Sequence, residues 1–191
     1  MRYKKGRKDA SRRRIMKVAA RRFRRDGIAA SGLAGIMNDA GLTNGAFYPH
    51  FASKAALVRE SVAAALEDQS SRLQQAVARD GIEGFIATYL SATHRDDPAK
   101  GCTAAALLPE LARQPSAIRR LCAERILAAV RCMEVTLATQ TEDSESVALA
   151  VYATLIGSLQ LARAVKGTPL SDRMLAAGAN AARALIQRHQ Q

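Results

Sequence analysis

The apolar positions of this chain recur at helical spacing almost from end to end. From Asp9 to Asp26, Ile15, Val18, Ala19 and Phe23 fall on one face, while Arg12, Arg13, Lys17, Arg21, Arg24 and Arg25 cover the others. That is the pattern of a helix with one buried stripe. Gly27 stands where a helix C-terminus takes glycine. Ser31 is placed as the N-cap of a second helix through Leu33, Ile36, Met37 and Ala40, which Gly41 stops after about two turns. Thr43 caps a third run, Asn44 to His50, again only about two turns long. Pro49 within it lacks an N–H and disfavours helix at Tyr48, so a frayed or 3₁₀ end is expected. Ser53 caps a fourth helix that meets no Gly or Pro before Ala78, roughly 39 Å of helix.

Further along, Gly81 to Thr93 carries Ile82, Phe85, Ile86, Tyr89 and Leu90 on one face, and "RDDPAKG" reads as a loop. Cys102 to Arg113 is a helix with a kink expected at Pro109. The next pattern starts at Pro115 and runs to about residue 139 through Ile118, Leu121, Cys122, Leu127 and Met133. The polar, acidic "TQTEDSE" leads into a helix over about 145–165, and "KGTP" separates it from a last helix over about 170–188. With no strand pattern and no internal repeat, the expectation is an all-α chain of about nine helices.

Composition sharpens this picture. Apolar residues make up 48% of the 191, without Trp and with few aromatics, which suits an Ala/Leu-rich, helix-packed interior. The formal charge of +12 is concentrated: residues 1–60 hold 15 Lys/Arg against 4 Asp/Glu, leaving 14 against 13 for the rest. A positive field gathered in one third of a chain suits a polyanion, most often nucleic acid. Three cysteines, Cys102, Cys122 and Cys132, form no CxxC or Cys/His metal spacing, so neither a disulfide framework nor a zinc site is expected, and no cofactor motif occurs. No apolar run approaches the roughly 20 residues of a membrane span, and no apolar signal-peptide core follows the basic start. A cytoplasmic protein with no membrane partner is expected.

A basic first helix, a short second helix, a glycine turn and a short third helix are the parts of a helix-turn-helix unit. The third must be narrow and exposed enough to enter a major groove about 12 Å wide. Packing against helices one and four explains how such short runs persist, with Phe23, Leu33, Ile36, Leu42, Phe47 and Phe51 as the small core.

The stretch "GIAASGLAGIMNDAGLTNGAFYPHFASKAALV" resembles the DNA-binding segment of the tetracycline-repressor (TetR/AcrR) family. The residues that carry the resemblance are Gly27, Ser31, Ile36, Gly41, Leu42, Thr43, Gly45, Phe47, Tyr48, His50, Phe51, Ser53, Lys54 and Leu57. Met37, where Ala is usual, and Pro49 are departures that leave the motif intact, and the match covers about residues 10–60. The resemblance implies a helix-turn-helix domain over 1–52 with a basic arm of Lys4, Lys5, Arg7 and Lys8. A helical ligand-binding and dimerisation domain would follow over 53–191. It places Thr43, Asn44 and Gly45 at base edges, Tyr48 and His50 at phosphates or a neighbouring base, and Lys54 and Ser31 at phosphates beside helix N-termini.

The same resemblance implies a homodimer formed by the last two helices, with an apolar face near Val151, Leu155, Leu159, Ala162, Leu175, Ala179 and Leu185. A double-stranded, roughly palindromic DNA operator would then be the partner. It also implies an effector pocket, for which Phe85, Tyr89, His94, Cys102, Leu107, Leu111, Cys122, Met133 and Tyr152 are the candidates, with a small or flat apolar molecule as ligand. The function expected is a ligand-released repressor. The alternatives are a repressor that senses electrophiles or oxidants through Cys102, at a helix N-terminus beside Lys100, and a non-specific basic nucleic-acid binder. An enzyme is not expected: there is no nucleophile elbow, phosphate loop or metal cluster, and His50, His94 and His189 are scattered.

Overall fold

The computed structural model describes residues 2–137 and 143–188, and within them the chain is eight α-helices and one 3₁₀ turn, with no strand. Helix α1 spans Arg2–Asp26. It starts seven residues before the expected Asp9, so the basic arm continues the helix instead of forming a separate extended segment. Gly27 ends it in the left-handed region at φ 84°, with its N–H on the Phe23 carbonyl at 2.9 Å. Helix α2 spans Leu33–Asp39, and its N-cap is Gly32, not Ser31. At its other end Gly41 adopts φ 64°, its N–H bonds Asn38 O at 2.9 Å, and the Leu42 N–H bonds Met37 O at 2.9 Å. This paired closure needs a residue that tolerates positive φ.

The third run is shorter than expected. Only Asn44–Ala46 forms a 3₁₀ turn, and the chain then turns through His50. The bonds Phe47 N–H to Asn44 O (3.1 Å) and His50 N–H to Phe47 O (2.9 Å) both span three residues, as expected where Pro49 has no N–H to extend an α-helix. Helix α3, Lys54–Tyr89, joins the expected fourth and fifth helices into one run that kinks at Gly81, φ 67° and ψ −179°. A five-residue helix α4, Ala92–Asp96, begins at Ser91, whose hydroxyl caps the His94 N–H. It occupies a stretch expected to be a helix end and a loop.

Helix α5 is Thr103–Leu111 with Pro109 inside it. Proline cannot bond the Ala105 carbonyl one turn back, and Gln160 of the seventh helix donates to that oxygen at 3.2 Å. Helices α6 (Ser116–Leu137), α7 (Ser144–Ala164) and α8 (Pro169–Arg188) complete the chain. By length and composition α7, with a mean hydropathy of 1.4, is apolar enough to cross a membrane. That corrects the expectation that no such run exists, although its Val147, Val151, Leu155 and Leu159 form part of the protein core.

Two apolar cores organise these elements. The first joins Ile15, Ala19 and Phe23 of α1, Ile36 and Met37 of α2, and Phe47 and Phe51 to Leu57, Val58, Val62 and Leu66 of α3. It also takes in Leu107 and Leu111 of α5 and Ile118 and Cys122 of α6. The head formed by α1, α2 and the 3₁₀ turn therefore sits on three later helices and shares its core with them. The second core lies among the far half of α3 and α5–α8. Gly178 of α8 packs tightly against α7, and a Cβ there would lie 2.4 Å from the Cβ of Ser158.

Candidate nucleic-acid interface and effector cavity

The reading turn is fixed from below and open from above. Phe47 and Phe51 are buried and stack at 5.6 Å. Arg12 of α1 donates to the His50 carbonyl, pairs with Glu60 of α3, and lays its guanidinium 4.4 Å from the centre of the Phe51 ring. These contacts pin the turn between α1 and α3, so its outward side chains project from a rigid base. Thr43, Asn44 and Gly45 are exposed, and Tyr48 is 71% exposed with only an edge contact to Phe47. Four of the expected DNA-contacting positions are thus exposed within the short segment 43–48. The Ser53 hydroxyl caps α3 by accepting the Ala56 N–H at 3.1 Å. Lys54, the first residue of that helix, is half-buried with Nζ 3.4 Å from Ala29 O. His50 is half-buried, its Nδ1 enclosed without a hydrogen-bond partner. Burial, then Lys8 and Arg12, lower its pKa, so the ring is neutral at pH 7.

Ser31 departs from expectation. It is fully buried, and its hydroxyl donates to Gly27 O at 2.6 Å, so it closes the turn after α1. With its proton committed inward and no surface exposure, it is not placed to meet a phosphate.

A cavity of about 820 Å³ opens beside the second core. Of the candidates, Phe85, Tyr89, His94, Cys102, Met133 and Tyr152 line it. Leu107, Leu111 and Cys122 do not: they are buried in the head's core, because the second half of α5 and the start of α6 face α1 and α3. Residues that the sequence did not nominate also form its wall. Ala65, Gln69, Arg72, Leu73 and Ala76 follow at helical spacing along one face of α3, and Arg24, Lys100, Gly101 and Thr103 come from α1, the segment before α5 and the first residue of α5. The spacing on α3 is visible in the sequence, but Arg24 carries no local sign of facing a cavity.

The polar wall is tightly ordered. Cys102 caps α5 through Sγ, which accepts the Ala105 N–H at 3.3 Å and a bond from Gln69 Nε2 at 3.0 Å. The Gln69 carbonyl oxygen accepts the Thr103 N–H at 2.7 Å. His94 Nε2 accepts the Cys102 N–H at 3.0 Å, which assigns the proton to Nδ1, 2.7 Å from Tyr89 O. Burial lowers the His94 pKa and Arg163 adds to the effect, while the bond to Tyr89 O opposes it. The Tyr89 hydroxyl is buried with no hydrogen-bond partner. Burial, with Cys102 next, holds its pKa well above the usual tyrosine value, and burial does the same for Tyr152.

Of the face expected for dimerisation, Val151, Leu155, Leu159, Ala162 and Leu175 are buried within the chain, where α7 and α8 pack on one another, while Ala179 and Leu185 are half-buried. Among the exposed apolar residues of α7 are Leu149, Ala153 and Leu161. With Gly157, against which nothing lies within 4 Å, they follow at four-residue steps.

A basic first helix, a short second helix and an exposed turn backed by α1 and α3 form a helix-turn-helix head on a helical domain that holds a cavity. Residues 15–61 match the family model of bacterial regulatory proteins of the tetR family. The whole fold is similar to a TetR-family regulator of Agrobacterium tumefaciens, with TM-score 0.77, 17% identity, and 96% of this chain and 100% of that one covered. A TetR regulator of Chloroflexus aurantiacus gives 0.76 at 22% identity, covering 94% and 96%. Reduced NemR of E. coli gives 0.72 at 17%, covering 90% and 96%. At such identities the likeness is one of fold. No functionally curated protein matches the sequence. Residues 15–61 thus match the DNA-binding segment of the tetR family, and the chain as a whole shares the fold of these regulators.

Proposed function

We propose that the chain is a cytoplasmic, homodimeric repressor that holds a palindromic operator in double-stranded DNA and releases it when a small molecule fills the cavity. The observation that carries this reading is the position of α5. It begins at the cavity wall, at Cys102 and Thr103, and ends beneath the head, where Glu110 Oε2 accepts the Ile28 N–H at 2.8 Å and the Ala29 N–H at 3.3 Å. A ligand that displaces the start of this helix bears on the loop between α1 and α2. An effector with different affinity for the two arrangements shifts the balance between them.

In this reading Thr43, Asn44 and Gly45 meet base edges, Tyr48 and His50 meet backbone or a neighbouring base, and Lys54 with the start of α3 holds a phosphate. Arg7 and Lys8, exposed on the first turns of α1, add salt-dependent affinity. The stripe Leu149, Ala153, Gly157 and Leu161 forms the twofold interface, which sets two reading turns roughly 34–36 Å apart.

The test is selection of genomic fragments by the purified protein at about 150 mM salt, where non-specific phosphate binding is weak, repeated with Tyr48→Ala. Enrichment of one short palindrome, lost in the variant, is the expected result. Even binding to all fragments would leave a non-specific basic protein.

A second reading keeps the repressor and makes Cys102 the sensor, because its sulfur lies on the cavity wall where an admitted electrophile would meet it. Release of the selected DNA by N-ethylmaleimide, absent in Cys102→Ser, would favour it.

A further inference from the structure

We propose that the cavity takes an anionic amphiphile, a molecule with an apolar, partly aromatic body and a carboxylate-class head held by Arg24 and Arg72. This rests on the effector reading above and names the class of effector. It replaces the flat apolar molecule suggested by composition alone.

The charges of the wall carry the inference. Arg24, Arg72 and Lys100 line the cavity against a single carboxylate, Asp97, which pairs with Lys100 at 3.0 Å. Arg72 is solvent-facing and pairs with Asp68, its neighbour one turn back on α3. Arg24 is different. Its guanidinium is half-buried, and all three of its hydrogen bonds go to neutral acceptors: Nε and Nη2 to Ala99 O at 2.9 and 2.6 Å, and Nη1 to Thr103 Oγ1 at 3.4 Å. A cation removed from water with no carboxylate bonded to it is costly, and a second guanidinium nearby raises that cost. Its pKa is lowered by burial first and by Arg72 next, with Asp68 opposing in part. An anion between the two arginines relieves both effects, and a planar carboxylate matches the fork of a guanidinium.

The other end of the cavity is apolar. Leu73, Phe85, Met133 and Leu155 come from the far part of α3, from α6 and from α7, with Tyr89 and Tyr152 among them. The buried Tyr89 hydroxyl, whose neighbour is the weakly accepting Cys102 sulfur, is a donor for one acceptor atom on the ligand body. A volume of about 820 Å³ lies within the range that encloses a drug-sized molecule.

Arg24 also belongs to α1, the first helix of the DNA-binding head, and its bonds to Ala99 O tie that helix to the segment leading into α5. A ligand head that takes the guanidinium competes with Ala99 for it. The anion therefore contacts the head directly, at the base of the helix that positions Arg12 and the reading turn.

Calorimetric titration of the full chain with decanoate, decan-1-ol and decyltrimethylammonium, each kept below its micelle concentration, tests the proposal. Decanoate is expected to bind at least about tenfold more tightly than the alcohol, as charge-assisted hydrogen bonds allow, and the cation most weakly. Arg24→Gln and Arg72→Gln are each expected to cut the preference for the acid by about tenfold and leave binding of the alcohol unchanged. Because Arg72 is largely exposed, its variant keeps the test valid even if Arg24→Gln disturbs the fold.

Equal affinity for acid and alcohol, preference for the cation, or an acid preference that survives in both variants would overturn the proposal. So would failure of all three probes to bind. None of these results bears on operator recognition, which the fragment selection reads independently through Tyr48.

Discussion

Glu110 is one of the contacts by which α5 holds the head, and truncating it isolates the contribution of that contact. In Glu110→Ala the N–H groups of Ile28 and Ala29 lose an acceptor at 2.8 and 3.3 Å. A hydrogen bond to a charged group contributes about 1.5–3 kcal/mol when well formed. The second of these is long, and Glu110 is half-exposed, so water replaces part of what is lost. The expected cost is about 1–3 kcal/mol, which for a chain of this size lowers Tm by roughly 2–12 °C. Glu110→Gln keeps an acceptor oxygen and loses the charge, so it should fall between the two. The assay is thermal unfolding followed by circular dichroism at neutral pH. The same variants are then titrated with operator and effector together: if α5 couples the sites, Glu110→Ala binds operator but responds less to effector. A Tm within about 1 °C of the parent, well below the smallest shift worked out above, would refute the assignment of Glu110 as the link. So would a full effector response in a destabilised variant.

Stability should fall on acidification, and His94 should carry part of the loss. Its folded pKa lies below the ordinary 6.5, so between the two values the unfolded chain binds a proton that the folded chain refuses. The stabilisation is complete above about 6.5 and is lost as pH falls through the folded value. Tm measured from pH 7.5 to 5 should drop less steeply in His94→Gln, and an unchanged slope would reject the role. Gly178→Ala should cost about 1–3 kcal/mol by overpacking, since the added Cβ meets Ser158 Oγ at 2.2 Å. Gly178→Ala combined with Ser158→Gly should recover part of that loss in urea unfolding. Leu161→Glu, at a side chain 54% exposed on α7, should shift the chain from dimer to monomer in sedimentation with little change in helix content. A variant that stays dimeric places the interface elsewhere.

The parts of the molecule that could be read from the sequence are those governed by local chemistry. Gly27 and Gly41 end helices because only a residue without a Cβ takes positive φ cheaply. Ser53 caps α3 because its hydroxyl reaches an amide three residues on. Pro49 cuts the reading turn short for want of an N–H. These short-range effects suffice to place the turn and to leave Thr43, Asn44, Gly45 and Tyr48 exposed. Even here local logic had limits: Gly81 was expected to separate two helices, yet it kinks one, and the five residues of α4 were expected to end a helix and begin a loop.

What the tertiary structure decided is which partner each face found. Periodicity marked Val151, Leu155 and Leu159 as an apolar stripe, but a stripe packs equally well on a symmetry mate or on its own chain, and here it lies in the core with α8 beside it. Leu107, Leu111 and Cys122 went beneath the head for the same reason, because a helix pattern carries no address for its buried side. Ser31 turned inward to bond a carbonyl four residues earlier instead of capping α2. The cavity's charge was the least legible feature. Arg24 looks like one more arginine on a basic helix until residues 75 and 79 positions away, Ala99 and Thr103, close around it. Spacing along a helix reports which side chains share a face, whereas the meaning of a charge depends on what the fold brings to meet it.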